Sequence, residues 1–111
     1  KPSEFTAQTS ELMKQLIAAE FDEEEAAVFT GGPDVGGAFA RLPFDHLLFT
    51  GATSVAKRVM RAAAENLVPV TLELGGKSPV VIGRSADMEL AASNIMAGKT
   101  MNAGQICLAP D

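Results

Sequence analysis

The 111-residue chain holds one cysteine, Cys107, and one histidine, His46. A single thiol cannot build an intrachain disulfide framework, and a single imidazole argues against a Cys/His zinc site, so no metal is expected. No apolar run approaches the roughly 18 residues that a membrane-spanning helix needs, so no membrane partner is expected. No basic segment followed by an apolar one marks a signal peptide. The first residue is Lys1 and not methionine, so the chain reads as a piece of a longer protein. Basic residues are scarce and scattered: nine Lys and Arg stand against fourteen Asp and Glu, for a net charge of −5, and only Lys57 and Arg58 are adjacent. That spread excludes the clustered cationic face of a nucleic-acid binder. The lone thiol fits a reducing cytoplasm. Neither an internal repeat nor a low-complexity linker is visible.

What is present suits one compact domain. The chain is 47% hydrophobic and 21% charged, enough apolar material to argue against disorder. Leu12, Met13, Leu16 and Ile17 recur at helical spacing within residues 6–20 and predict an amphipathic helix. Asp22-Glu23-Glu24-Glu25 reads as a solvated turn. A short apolar run over residues 26–30, ending in Gly31-Gly32-Pro33, predicts a strand and its exit turn. Residues 35–41 can form a short helix, which Pro43 closes through its restriction of Leu42. Residues 46–50 predict a buried strand. Residues 54–66 predict a helix whose apolar face carries Val55, Val59, Met60 and Ala63. Residues 70–74 and 79–82 predict two more strands, the latter short and β-branched. Ser85 or Asp87 can cap a last helix running to about residue 100. The alternation predicts an α/β fold: a Rossmann-like parallel sheet with helices on both faces, incomplete for want of its first strand.

Three segments carry candidate chemistry. Phe49-Thr50-Gly51-Ala52-Thr53-Ser54 lies where a strand turns into a helix, and free N–H groups at a helix start suit an anion such as a phosphate. Taken alone, the same turn is a plain β–α connection. Glu73 lies in Leu72-Glu73-Leu74-Gly75-Gly76-Lys77-Ser78-Pro79, at the end of a run expected to be buried. A carboxylate among apolar residues suits a general base working near neutrality. Cys107 follows Asn102-Ala103-Gly104-Gln105-Ile106. It is either a structural thiol or a nucleophile, and a polar loop with backbone N–H groups can stabilise a thiolate. His46 has no catalytic partner in the sequence and reads as a strand-edge residue. Lys77 and Asp111 are left without a role.

Together these segments resemble the catalytic signatures of the NAD(P)-dependent aldehyde dehydrogenases, almost end to end. The resemblance implies that Cys107 is the nucleophile and Glu73 the base that activates the hydrolytic water. It implies a dinucleotide turn at Thr50, Gly51, Ala52 and Thr53, although the family often has serine at Ala52 and glycine at Ala56. Lys1 and Glu4, in Lys1-Pro2-Ser3-Glu4, are similar to the family segment that meets the adenosine ribose, which favours NAD and leaves NADP open. Gly32, Pro33 and Gly36 are similar to the turn beside the adenine, or else form a structural Gly-Pro loop. Leu74 and Gly75 would lie against the nicotinamide. Residues 1–111 would thus be part of an NAD(P)-binding domain ending in the cysteine loop, with the remaining domains absent. The partner is a small-molecule aldehyde, and the full-length protein is expected to be a homo-oligomer. Residues 42–49 and 58–67 most resemble the bacterial subgroup acting on coniferyl aldehyde. Two alternatives stay open: an acyl-CoA-forming aldehyde dehydrogenase, and a nucleotide-binding fragment without turnover.

Overall fold

A computed structural model describes all 111 residues. The elements are a 3-10 turn at Glu4–Thr6, then α1 (Ala7–Glu20), α2 (Pro33–Phe39), β1 (Leu47–Gly51), α3 (Thr53–Ala64), β2 (Val70–Leu74) and α4 (Met88–Thr100), closed by an irregular turn at Met101–Gly104. The two strands pair in parallel, so the fold is α/β of the expected Rossmann-like kind. The chain packs as two compact units, residues 1–48 with 57–71, and residues 49–56 with 72–111.

In the first unit, Ser3 caps the opening turn by accepting from the Phe5 N–H. Ser10 is the one buried polar residue of the chain, and its hydroxyl donates to the Ser3 carbonyl at 3.2 Å, so the burial leaves no orphan. Asp22 and Glu25 close the acidic turn, the Asp22 carbonyl accepting from the N–H groups of Glu25 and Ala26. The helix expected over residues 35–41 begins earlier, at Pro33. Gly32 is its N-cap, and proline at the first helical position costs no hydrogen bond. Phe39 stacks tilted between Phe29 and Phe44, with ring centroids 5.6 and 4.8 Å away. His46, just before β1, bonds through Nε2 to Thr71 Oγ1 at 2.9 Å, consistent with a strand-edge role.

Helix α3 ends in a left-handed cap. Leu67 has φ of 55°, and Val68 donates back to the Ala63 carbonyl, the Schellman pattern with leucine where glycine is usual. Its buried residues are Ala56, Ala62 and Ala63, whereas Val55 and Met60 are exposed. Of the face expected to be apolar, Ala63 is buried and Val59 half-buried, while Val55 and Met60 are exposed and Ala56 and Ala62 take the inner positions. In the second unit, Asp87 caps α4 by accepting from Glu89 and Leu90.

Two expected strands do not form. Residues 26–30 and 79–82 lie outside any strand, because a strand exists only through a neighbour that completes its ladder, and the sheet holds β1 and β2 alone. Glu73 also departs from expectation. Along β2, Val70, Leu72 and Leu74 are half-buried while Thr71 and Glu73 are exposed, so the carboxylate lies on the open row of the strand and not in a buried run.

Buried apolar residues are few, Ala40, Leu47, Ala62, Ala63 and Val68 in the first unit and Ala56 and Ala109 in the second, and no large side chain is fully buried. The apolar stripe of α1 is largely uncovered, with Leu16 60% exposed; Val81 and Leu108 are 92% and 75% exposed. The accessible surface is 8674 Å², against about 5,800 Å² for a folded monomer of this mass. Expressed alone, residues 1–111 should bind a hydrophobic dye such as ANS and melt without a cooperative transition. A sharp calorimetric peak, with dye binding at background, would show that this core suffices.

Candidate active site

The first unit holds Lys1, Glu4, Gly32, Pro33 and Gly36. Lys1 and Glu4 meet in an ion pair of 3.4 Å, and Lys1 also donates to the Pro2 carbonyl. The Lys1 stem runs over Gly36, where an added Cβ would sit 3.6 Å from Cε. The Glu4 carboxyl is held below its ordinary range chiefly by its own backbone N–H, against an opposing desolvation effect and with further help from the Lys1 ammonium. It is therefore an acceptor at neutral pH. An open cleft of about 560 Å³ runs past Pro2, Ser3, Glu4, Thr30, Gly31 and Gly32. Gly31 shapes this edge. Its φ is 134°, and a Cβ there would fall 2.6 Å from Val35 Cγ2, so the position admits no larger residue without rearrangement. A carboxylate acceptor beside a cleft edged by glycine fits the ribose and adenine end of a dinucleotide in chemistry and in room.

The second unit holds Thr50, Gly51, Ala52, Thr53, Glu73, Leu74, Gly75 and Cys107. Gly51 ends β1 with φ of 157°, and a Cβ would approach the Phe49 ring to 2.7 Å. The Ala52 carbonyl accepts from Val55 and Ala56, which makes Ala52 the N-cap of α3. Alanine brings no side-chain oxygen to that position, so the N–H groups of Thr53 and Ser54 keep no intrahelical partner. An anionic pyrophosphate is a chemically suitable acceptor for them.

Glu73 is exposed and takes part in none of the three ion pairs. Gly75 and Gly76 follow it with nothing within 4 Å of an added Cβ, so the backbone beyond Glu73 is open. Cys107 is a free, exposed thiol. It follows a turn in which Asn102 and Ala103 have φ of 48° and 55° and Gly104 has φ of 77°. Asparagine and glycine tolerate that region, while alanine adopts it only under constraint. The constraint is visible: Asn102 Nδ2 donates to the Gln105 carbonyl, and Gln105 Nε2 donates to the Asn102 carbonyl, both at 3.2 Å. The Cys107 N–H gives no backbone hydrogen bond. Its carbonyl accepts from Ser78 Oγ at 3.3 Å.

Ser78, Lys77, Lys99 and Asp111, to which the sequence assigned no role, carry contacts around this loop. No group of His, Cys, Asp or Glu side chains could hold a metal ion, and no helix is long and apolar enough to cross a membrane.

Comparison with known proteins places these features in context. Residues 1–111 match the Aldehyde dehydrogenase family. Over all 111 residues the chain is 73% identical to the "Probable coniferyl aldehyde dehydrogenase" of Caulobacter vibrioides, covering 23% of that protein. The fold superposes on the substrate-bound state of Staphylococcus aureus AldH with a TM-score of 0.93 at 46% identity, over 99% of this chain and 24% of that one. It also superposes on a betaine aldehyde dehydrogenase double mutant from Staphylococcus aureus in complex with NAD+, with a TM-score of 0.85 at 33% identity, over 97% and 22% of the two chains. The chain spans about a quarter of the length of the relatives it matches.

Proposed function

The chain belongs to the aldehyde dehydrogenase family, and on that premise we propose that the whole enzyme oxidises an aldehyde to its carboxylic acid with NAD+, using Cys107 as nucleophile and Glu73 as base. The observation that carries this reading is the family match over all 111 residues, joined to an exposed thiol and an unpaired carboxylate in one compact unit.

The residues divide the work as follows. Cys107 Sγ, as thiolate, attacks the carbonyl carbon and forms a C–S bond, leaving a tetrahedral thiohemiacetal oxyanion. The free N–H of Cys107 is a donor for that oxygen. Leu74 and Gly75 would hold the nicotinamide of bound NAD+ and Thr50–Thr53 its pyrophosphate, and the cofactor would supply the acceptor for the hydride that leaves the thiohemiacetal carbon. Cys107 is then acylated as a thioester. Glu73 takes a proton from water, the water oxygen attacks the thioester carbon, and cleavage of the C–S bond returns the thiolate and releases the acid. Lys1, Glu4, Gly32, Pro33 and Gly36 hold the adenosine end.

Coniferyl aldehyde, or another aromatic aldehyde, is the proposed substrate, supported by the name of the Caulobacter relative. The full-length protein works in the cytoplasm as a homo-oligomer, and its remaining domains and subunits cover the apolar faces left open here. The test is a steady-state assay of the full-length protein with coniferyl aldehyde and NAD+, with and without coenzyme A. Acid formed without coenzyme A supports the reading. Absolute dependence on coenzyme A would turn it into an acyl-CoA-forming enzyme, and no turnover with any aldehyde would reduce it to a nucleotide-binding fold.

Cofactor choice follows from Glu4. An ionised carboxylate accepts from a ribose 2′-hydroxyl and repels a 2′-phosphate, and Glu4 is held in its ionised form. The expected result is a higher kcat/KM with NAD than with NADP. Glu4→Gln should narrow the gap by roughly tenfold, the loss of one charged contact or repulsion. An advantage for NADP in the unaltered enzyme would show that Glu4 does not meet the ribose.

A further inference from the structure

Five polar contacts converge on the segment that follows Cys107. The Asp111 N–H donates to the Ser78 carbonyl at 3.0 Å, and the Asp111 carbonyl accepts from the Val80 N–H at 3.1 Å. The two bonds bracket Pro79 as a single parallel-type bridge, too short to make a strand. The Asp111 carboxylate accepts from Lys77 Nζ at 2.7 Å and from Lys99 Nζ at 3.3 Å. Ser78 Oγ donates to the Cys107 carbonyl at 3.3 Å. Packing agrees with the bonds: a Cβ on Gly98 would lie 3.3 Å from the Pro110 ring, and Ala109 is buried.

The positions of these partners matter more than their number. Lys99 is in the last turn of α4, where the cysteine loop begins; Asp111 is where the segment after the cysteine has run its course. Their pair closes the loop on itself. Lys77 and Ser78 follow Glu73 by a few residues through the open Gly75-Gly76 stretch. The same contacts therefore tie the closed loop to the chain leaving the base.

We propose that Asp111 and Ser78 are positioning residues, which dock the closed Cys107 loop onto the segment following Glu73 and so fix the nucleophile for attack. This rests on the reading of Cys107 as nucleophile. The charges respond as such a clamp requires: the Asp111 carboxyl is held below its ordinary range by hydrogen bonds from Lys77 and Lys99, and the Lys77 ammonium is pushed up by Asp111. Exposed ion pairs add little to fold stability. The clamp acts through geometry, and small displacements of a nucleophile are costly to rate.

The experiment uses the full-length enzyme, as Asp111→Asn, Ser78→Ala and Ser78→Thr. Three quantities are compared: the rate of the pre-steady-state NADH burst, the rate of Cys107 alkylation by iodoacetamide followed by mass, and the Kd for NAD. Asp111→Asn and Ser78→Ala should slow the burst by about tenfold or more and change the alkylation rate, with the Kd for NAD unaltered. Ser78→Thr, which keeps the hydroxyl, should restore the burst. Should Asp111→Asn fail to fold, the two Ser78 variants carry the same comparison. Burst and alkylation rates at the wild-type level in Ser78→Ala would overturn the proposal, as would a weakening of NAD binding that matches the loss of rate. Failure of the underlying reading looks different: alkylation of Cys107 in the unaltered enzyme would then leave turnover intact.

Discussion

Replacing Cys107 by serine in the full-length enzyme should abolish aldehyde oxidation and leave NAD binding in place. A thiol reaches its nucleophilic anion at accessible pH, with an ordinary pKa near 8.5, while a serine hydroxyl without a dedicated base stays protonated. The one histidine of residues 1–111, His46, is engaged with Thr71. The expected loss in kcat is on the order of 10⁴-fold or more, the scale seen when a nucleophile that works within a catalytic set is removed. The loop itself should survive the exchange. Its contact with Ser78 uses the Cys107 carbonyl, its reciprocal clasp uses Asn102 and Gln105, and the side chain is exposed. The residues assigned to the cofactor lie outside the cysteine loop, at the end of β1 and the start of α3, at the end of β2, and in the first unit. The check is NADH formation on mixing enzyme, aldehyde and NAD, alongside a fluorescence titration with NAD. Turnover near the wild-type rate would remove Cys107 from its role. Loss of NAD binding together with activity would mean that the exchange disturbs more than the thiol.

How legible these features were in the sequence depended on how local their physics is. Helices α1 and α4 were readable because a stripe of apolar residues and a capping Asp87 are properties of neighbours in the chain. Strands β1 and β2 were readable for the same reason. The runs at 26–30 and 79–82 look equally strand-like, yet a strand is completed by a partner, and hydropathy does not say where the partner comes from. The exposure of Glu73 was in fact visible and overlooked: Val70-Thr71-Leu72-Glu73-Leu74 alternates apolar and polar residues, the mark of a half-covered strand. The face of α3 is legible in part: Ala63 is buried and Val59 half-buried as the pattern predicts, but Ala56 and Ala62 are buried where Val55 and Met60 are exposed, because alanines permit the closer approach. The clamp around Asp111 had no sequence signal at all. Lys77, Ser78, Lys99 and Asp111 match no spacing rule, and two of its five contacts are made by backbone groups, which every sequence possesses.

Glu73→Gln should separate the two halves of the reaction. The amide keeps the shape and one acceptor oxygen but cannot take a proton, so general-base help of roughly 10²–10⁴-fold should vanish from the hydrolytic step. Acylation of Cys107 needs no proton removed from water and should proceed. A burst of NADH near one per active site is therefore expected, followed by very slow turnover as the thioester accumulates. The open placement of Glu73 sharpens the test. The side chain is exposed on β2 and forms no ion pair, so its replacement orphans no partner and should cost the fold little. Rapid mixing with aldehyde and NAD reads the burst directly, and mass measurement of the quenched protein reads the acyl group on Cys107. If the burst disappears as well, Glu73 also prepares the thiolate or places the nicotinamide, and its role extends to acylation. If steady turnover is unchanged, the hydrolytic water finds its base elsewhere and the assignment of Glu73 fails, leaving a surface carboxylate on β2.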